Sequence, residues 1–210
     1  MTDQHNTEQT PSELQKIITL LTSDNEAAVN QGIEKLSFLK EVTELSLEGS
    51  VNLKNVNFLS GLSGLTKLNL SYCENLENVD GLSGLSGLTE LNLIACKNLG
   101  NEDVLSGLSG LTKLYLSGCE KLRNVAVLSG LRGLRILCLS YCKSLEKIAV
   151  LSGLSGLTKL NLAGCESLSN VEILSGLRGI KELSISDCEN LKTADGLSES
   201  ILLMNQGFLN

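Results

Sequence analysis

Residues 111–133 read LTKLYLSGCEKLRNVAVLSGLRG, from Leu111 to Gly133. Leu114 and Leu116 flank Tyr115, an apolar–polar alternation that predicts a short strand with one buried face. The second half carries Leu122 and Leu128, then closes on Leu-Ser-Gly-Leu-Arg-Gly. Two glycines in so short a stretch oppose a long helix. They favour a short 3₁₀ turn, with Ser as its N-cap and Gly allowing a tight reversal.

The same sentence is written seven times. Its first apolar residues are Val42, Leu65, Leu88, Leu111, Leu134, Leu157 and Ile180, each 23 residues from the next. A fixed period of this size marks a stacked-repeat architecture, in which each copy buries its apolar face against its neighbours. Because every strand returns in the same direction, the sheet must be parallel. At about 4.8 Å per strand, seven coils stack to roughly 30–35 Å.

Outside the repeats, residues 1–9 are polar and read as a disordered tail. Residues 10–40 read as a helical N-terminal cap. Thr10-Pro11-Ser12-Glu13 fits a capping box with Pro at the first helical position, followed by Leu14, Ile17, Ile18 and Leu21 at helical spacing. Ser23-Asp24-Asn25-Glu26 reads as a second capping box, ahead of Val29, Ile33 and Leu36. Seven repeats span 42–202. Residues 203–210 form a short C-terminal cap or a partial eighth repeat, with Leu203 and Phe208 imitating a strand. The last copy has lost its Gly-Leu-x-Gly ending, and an incomplete cap exposes a sheet edge. Association of two copies through that end is the corresponding expectation.

The net charge of −7 argues against nucleic acid or an anionic membrane as partner, since both reward clustered Lys and Arg. The first residues lack a basic region followed by an apolar one, and no run of about 18 apolar residues is present. Seven cysteines, six at one repeat position, then read as reduced thiols in a cytoplasmic protein, with export by a non-Sec route as the alternative.

The L-x-x-L-x-L-x-x-C-x-x-L core resembles that of leucine-rich repeat proteins over about residues 42–202. Six copies match it, and the first has Ser50 at the Cys position. The Leu-Ser-Gly-Leu ending is similar to the short repeats of bacterial internalins and of protozoan proteins. It is less like the longer, helix-bearing ribonuclease-inhibitor type. The resemblance implies an α/β solenoid with a curved parallel sheet on its concave side, short 3₁₀ turns on its convex side and a helical N-terminal cap. It also implies that the concave face binds another protein, and it carries no catalytic residues. Host-directed effectors of bacteria or parasites include proteins of this look, which gives an alternative use for the same module.

In a stacked repeat the constant columns build the scaffold. Cys73, Cys96, Cys119, Cys142, Cys165 and Cys188 stand in a line, 23 residues apart. Zinc ligands come instead as C-x₂₋₄-C pairs converging on a point. The cysteine ladder therefore reads as buried structural thiols donating to backbone carbonyls. Asn55, Asn78, Asn101, Asn124 and Asn170 read as a turn-capping ladder, broken at Lys147 and Thr193. Glu44, Lys67, Glu90, Lys113, Ile136, Lys159 and Glu182 read as a solvated charge ladder with one apolar break.

Function belongs to the columns that vary. Tyr72, Ile94, Tyr115, Ile136, Cys138 and Tyr141 gather in the second to fifth copies on the outward strand positions, and aromatic residues there mark interfaces. They are the candidate partner-binding patch, suited to an acidic, partly apolar epitope. Beside Lys113 and Lys159, an exposed Cys138 would favour its thiolate. The single histidine, His5, lies in the tail. No nucleophile, phosphate-loop or metal motif appears, so neither catalysis nor a cofactor is expected.

Overall fold

The computed structural model describes residues 12–23, 25–36, 42–100 and 102–191. Two helices, α1 (Glu13–Leu21) and α2 (Glu26–Leu36), precede seven three-residue strands: β1 (Glu44–Ser46), β2 (Lys67–Asn69), β3 (Glu90–Asn92), β4 (Lys113–Tyr115), β5 (Ile136–Cys138), β6 (Lys159–Asn161) and β7 (Glu182–Ser184). The strands form one parallel sheet in chain order, and the register is the repeat period: Leu91 faces Leu114 and Tyr115 faces Cys138. This is the α/β solenoid that the resemblance implies, stacked at the 23-residue period.

Each coil is a polygon built on a three-residue spacing. In the fourth coil Leu116, Cys119, Leu122, Val125, Leu128, Leu131 and Leu134 are all buried. The N–H of Cys119 donates to Leu116 O, Leu122 to Cys119, Leu128 to Val125, Leu131 to Leu128 and Leu134 to Leu131. Most corners thus bury a side chain and close their own N–H on the corner before. A buried N–H left open would cost about 1–3 kcal/mol. Leucine at every third position encodes both halves of that arrangement.

The 3₁₀ turns run Asn57–Leu59, Asp80–Leu82, Asp103–Gly107, Ala126–Gly130, Ala149–Gly153 and Glu172–Gly176. Serine does not cap them. Ser106 and Ser152 lie inside their turns, and their hydroxyls donate back to Asp103 O and Ala149 O at 2.7 and 3.1 Å. The caps come from the asparagine column instead. Oδ1 of Asn55, Asn78, Asn124 and Asn170 accepts from the N–H two residues on, at 3.2, 3.4, 3.0 and 2.8 Å. Asparagine wins because its amide reaches the open N–H at the turn's start, which a serine three residues into the turn cannot. Asn101 and Thr193 lie outside the described residues.

The helix starts also differ from expectation by a residue or two. Ser12 Oγ accepts from Gln15 N, so the cap is Ser12 and the helix opens at Glu13. Thr10 and Pro11, where the cap and first helical residue were expected, lie outside the described residues. Asn25 Oδ1 accepts from Ala27 N and Ala28 N at 2.9 and 3.2 Å, so the second cap is Asn25, with Ser23 Oγ accepting from Asn25 N. Ile17, Leu21, Val29 and Leu36 join the same core as Leu45 and Leu47 of the first coil. Asn52 Nδ2 ties that coil to Ser23 O at 3.1 Å. The tail at 1–9 and the segment at 203–210 lie outside the described residues.

Candidate functional site

The charged row on the sheet face resolves into pairs between adjacent coils. Lys67 meets Glu44 at 2.6 Å, Lys113 meets Glu90 at 3.0 Å and Lys159 meets Glu182 at 2.6 Å. Such exposed pairs are worth about 0–1 kcal/mol each. Pairing by twos over seven coils leaves one position over, and that position is Ile136. Both neighbours of Ile136 in the register are lysines, Lys113 and Lys159, already engaged on their far sides. A third lysine would be repelled there, and an acid would compete for engaged cations. The isoleucine therefore sits at the seam between two oppositely directed ion pairs.

A second row governs how each strand ends. Oδ1 of Asn69, Asn92 and Asn161 accepts from the backbone N–H two residues later, at Ser71, Ile94 and Ala163, each at 3.0 Å. Tyr115 and Cys138 occupy the same row in the two middle coils, and no such bond forms at Ser117 or Ser140. The two serines hydrogen-bond each other instead, Oγ to Oγ at 2.9 Å. This row is visible in the sequence as Asn, Asn, Tyr, Cys, Asn. Its capping role was not legible because asparagine on a strand also reads as an ordinary outward polar residue.

Tyr72 and Tyr141 do not lie on the strand face. With Gly49, Ala95, Gly118, Gly164 and Asp187 they form the column where the chain turns off the strand, and all seven have φ between 57° and 72°. Their N–H groups continue the parallel ladder: Tyr72 N donates to Ile94 O and Tyr141 N to Ala163 O, both at 2.7 Å. The left-handed turn keeps that bond while swinging the chain inward. It suits glycine and strains a bulky side chain by roughly 1–2 kcal/mol. Both tyrosines are more than half exposed, at 52% and 57%, and three coils separate them. Three glycines in the column were the signal that marked it as a turn.

Of the six candidates the structure thus brings together Tyr115, Ile136 and Cys138: Tyr115 faces Cys138 across the register, and Ile136 stands two residues before Cys138 on the same strand. Ile94 stands two residues beyond Asn92, on the serine row with Ser117. Tyr72 and Tyr141 stand apart on the rim. A hollow of about 310 Å³ opens beside the central trio, lined by Ile136, Cys138, Lys159, Asn161 and Glu182 among others. A larger one of about 600 Å³ lies on the opposite, 3₁₀-bearing side, where Lys147 interrupts the asparagine caps beside Ala149 and Ile173.

The ladder thiols donate to strand carbonyls of the preceding coil. Cys73, Cys96, Cys119, Cys142, Cys165 and Cys188 reach Leu47, Leu70, Leu93, Leu116, Leu139 and Leu162 at 3.1–3.3 Å. Burial pushes Cys73 up to about 11 and Cys96, Cys142 and Cys165 up to about 12. Cys138 does not fit the thiolate expectation. It is half-buried, and burial raises its pKa by more than Lys159 lowers it. Burial likewise raises the Tyr115 phenol, helped by Glu90. Among the described residues, no group of three or more His, Cys, Asp or Glu is placed to hold a metal. No helix of theirs is long and apolar enough to cross a membrane.

A parallel sheet of identical short strands, a thiol ladder behind it and 3₁₀ turns opposite define a leucine-rich repeat solenoid. The model of the BspA type leucine rich repeat region matches residues 27–113 and 95–209, and the chain belongs to that family. Among solved structures, it is similar to internalin C2 from Listeria monocytogenes, at 20% identity and TM-score 0.52 over 87% of this chain and 88% of that one. It is also similar to the leucine-rich repeat domain of the type III effector XopL, at 19% identity and TM-score 0.59 over 94% and 82%. At these identities the likeness is one of fold. No curated protein matches the chain in sequence.

Proposed function

We propose that the chain is a non-catalytic protein-interaction module that binds its partner on the sheet face, centred on Tyr115, Ile136 and Cys138. The observation that supports this most is the placement of Ile136. The charged row is otherwise a run of closed ion pairs, and the row beside it carries asparagine or serine. In these two rows the polar residues give way only in the two middle coils, where an aromatic, a branched aliphatic and a thiol stand side by side. Apolar and aromatic residues ringed by paired charges are the composition of an interface centre. The family and its fold agree with such a use.

The test is capture of binding partners on the immobilised chain, read by mass spectrometry, against three variants. Ile136→Asp and Tyr115→Ala should each lose a partner that the parent retains, with the circular dichroism spectrum unchanged. Ala149→Asp, in the hollow on the 3₁₀ side, should retain it. Retention by both sheet-face variants, with loss in Ala149→Asp, would move the working surface to the other side.

A further inference from the structure

The break in the strand-end asparagine row leaves two adjacent backbone N–H groups, Ser117 and Ser140, with no acceptor among the described residues. In the coils around them that acceptor is the chain's own amide oxygen, on Asn69, Asn92 or Asn161. Ser117 and Ser140 sit on neighbouring strands, so their nitrogens lie about 4.8 Å apart. Equivalent N–H groups of a parallel ladder point the same way, so one oxygen cannot align with both, whereas the two oxygens of a single carboxylate can each accept from one. The serine hydroxyls add a third donor. One donates to the other, at 2.9 Å, and whichever accepts has its own proton left to give. Ser140 is 8% exposed and Ser117 is partly buried.

The surrounding charge selects the kind of oxygen. Over the fourth to sixth coils the sheet-face rows carry Lys113, Arg135 and Lys159 and no acid. Lys113 and Lys159 are matched by Glu90 and Glu182 from the flanking coils. Arg135 has no carboxylate within ion-pair distance among the described residues, and its guanidinium donates to Gly156 O at 3.0 Å. The donor set therefore lies in a locally positive stretch of an acidic chain. Four residues along the same face of the strand, roughly 13 Å away, Ile136 borders the hollow described above.

We infer that Ser117 and Ser140 form a carboxylate-binding subsite, which docks an acidic side chain of the partner while an apolar side chain about four residues along the same extended segment enters the hollow at Ile136 and Cys138. The partner is thus a protein segment pairing Glu or Asp with an aliphatic residue. This rests on the sheet face being the working surface, and the test separates the two ideas.

The probes are two blocked five-residue amides, N-acetyl-Leu-Ser-Ser-Ser-Glu-amide and N-acetyl-Leu-Ser-Ser-Ser-Gln-amide, titrated into the ¹⁵N-labelled full chain. The Glu probe should shift the Ser117 and Ser140 amide resonances downfield and saturably, and the Gln probe should leave them in place. The doubly substituted Tyr115→Asn, Cys138→Asn chain restores the asparagine row and supplies both N–H groups with an internal acceptor. It should keep the parent's fold and lose the response. Immobile Ser117 and Ser140 resonances, an equal response to the Gln probe, or an undiminished response in the double variant would each overturn the subsite. If the subsite fails in this way while Ile136→Asp still abolishes partner capture, the sheet face stands as the working surface without a carboxylate in its recognition.

Discussion

The ring of Tyr141 lies against Gly164 of the next coil, so closely that a Cβ on Gly164 would stand 2.6 Å from the ring's Cδ1. Gly164 thus has two reasons to be glycine, its φ of +69° and the ring above it. Gly164→Ala should destabilise by about 1–3 kcal/mol, because it adds left-handed strain and displaces the ring. The reverse change at the same column, Ala95→Gly, should stabilise by up to about 1 kcal/mol, since Ala95 holds φ of +58° against its preference. Urea denaturation midpoints check both. Destabilisation by Ala95→Gly would mean that its methyl packs more than its backbone strains.

The interrupted asparagine row has a signature in hydrogen exchange. The N–H groups of Ile94 and Ala163 are held by Asn92 and Asn161, whereas those of Ser117 and Ser140 are held by no described residue. A hydrogen bond of about 1–1.5 kcal/mol corresponds to roughly tenfold in protection. Ser117 and Ser140 should therefore exchange about ten times faster than Ile94 and Ala163 in the free chain. Equal protection at all four would show the middle coils to be capped by other means.

These two expectations mark the boundary of what the sequence discloses. The period, the parallel sheet, the buried corners and the cysteine ladder were legible because each is written seven or nearly seven times, and repetition separates signal from noise. The left-handed column was half legible: Gly49, Gly118 and Gly164 announce a turn, but Tyr72 and Tyr141 imitate an outward strand position. The role of Asn92 was hidden for a different reason. Asparagine serves two rows of this fold, one before the 3₁₀ turn and one at the strand's end, and only the first has the familiar relation to a turn. The reason for Ile136 was hidden as well, since the direction in which each lysine leans decides which coil is left unpaired.

The ladder thiols make stability fall in alkali. In the folded chain Cys96, Cys142 and Cys165 hold their protons up to about pH 12, against an ordinary value of 9.0. Between those values the unfolded state loses protons that the folded state keeps, so folding stability declines as pH rises. Below pH 9 the contribution is fully present. Each thiol adds a slope of up to about 1.4 kcal/mol per pH unit within that window. Thermal midpoints should hold steady from pH 7 to 8.5 and drop steeply above 9. Cys142→Ala should drop less steeply, although it starts lower for want of the contact with Leu116 O. Parallel slopes in the two chains would remove the thiols as the cause.

Two breaks in the apolar columns look alike in the sequence and should respond oppositely to the same repair. Glu102 stands where Val56, Val79, Val125, Ile148 and Val171 are buried. It is partly buried itself, and burial raises its carboxyl above the usual 4.5. Ionisation therefore costs the folded state something that is absent below the ordinary carboxylate pKa and complete above the raised one. Glu102→Val should stabilise by about 1–2 kcal/mol at pH 7, and by less at pH 3.5, where the parent carries a neutral carboxyl in both states. Gly81 stands where Val104, Val127 and Val150 pack in the neighbouring coils. Any Cβ at Gly81 would run into the Val56 carbonyl, which is backbone and cannot swing aside. Gly81→Val should thus destabilise by about 1–3 kcal/mol or more, though it makes the repeat more regular. Chemical denaturation of both variants at the two pH values decides the matter. A stabilising Gly81→Val would mean that the second coil can shift off the first, and that the close seating of Val56 on Gly81 is not required by the stack.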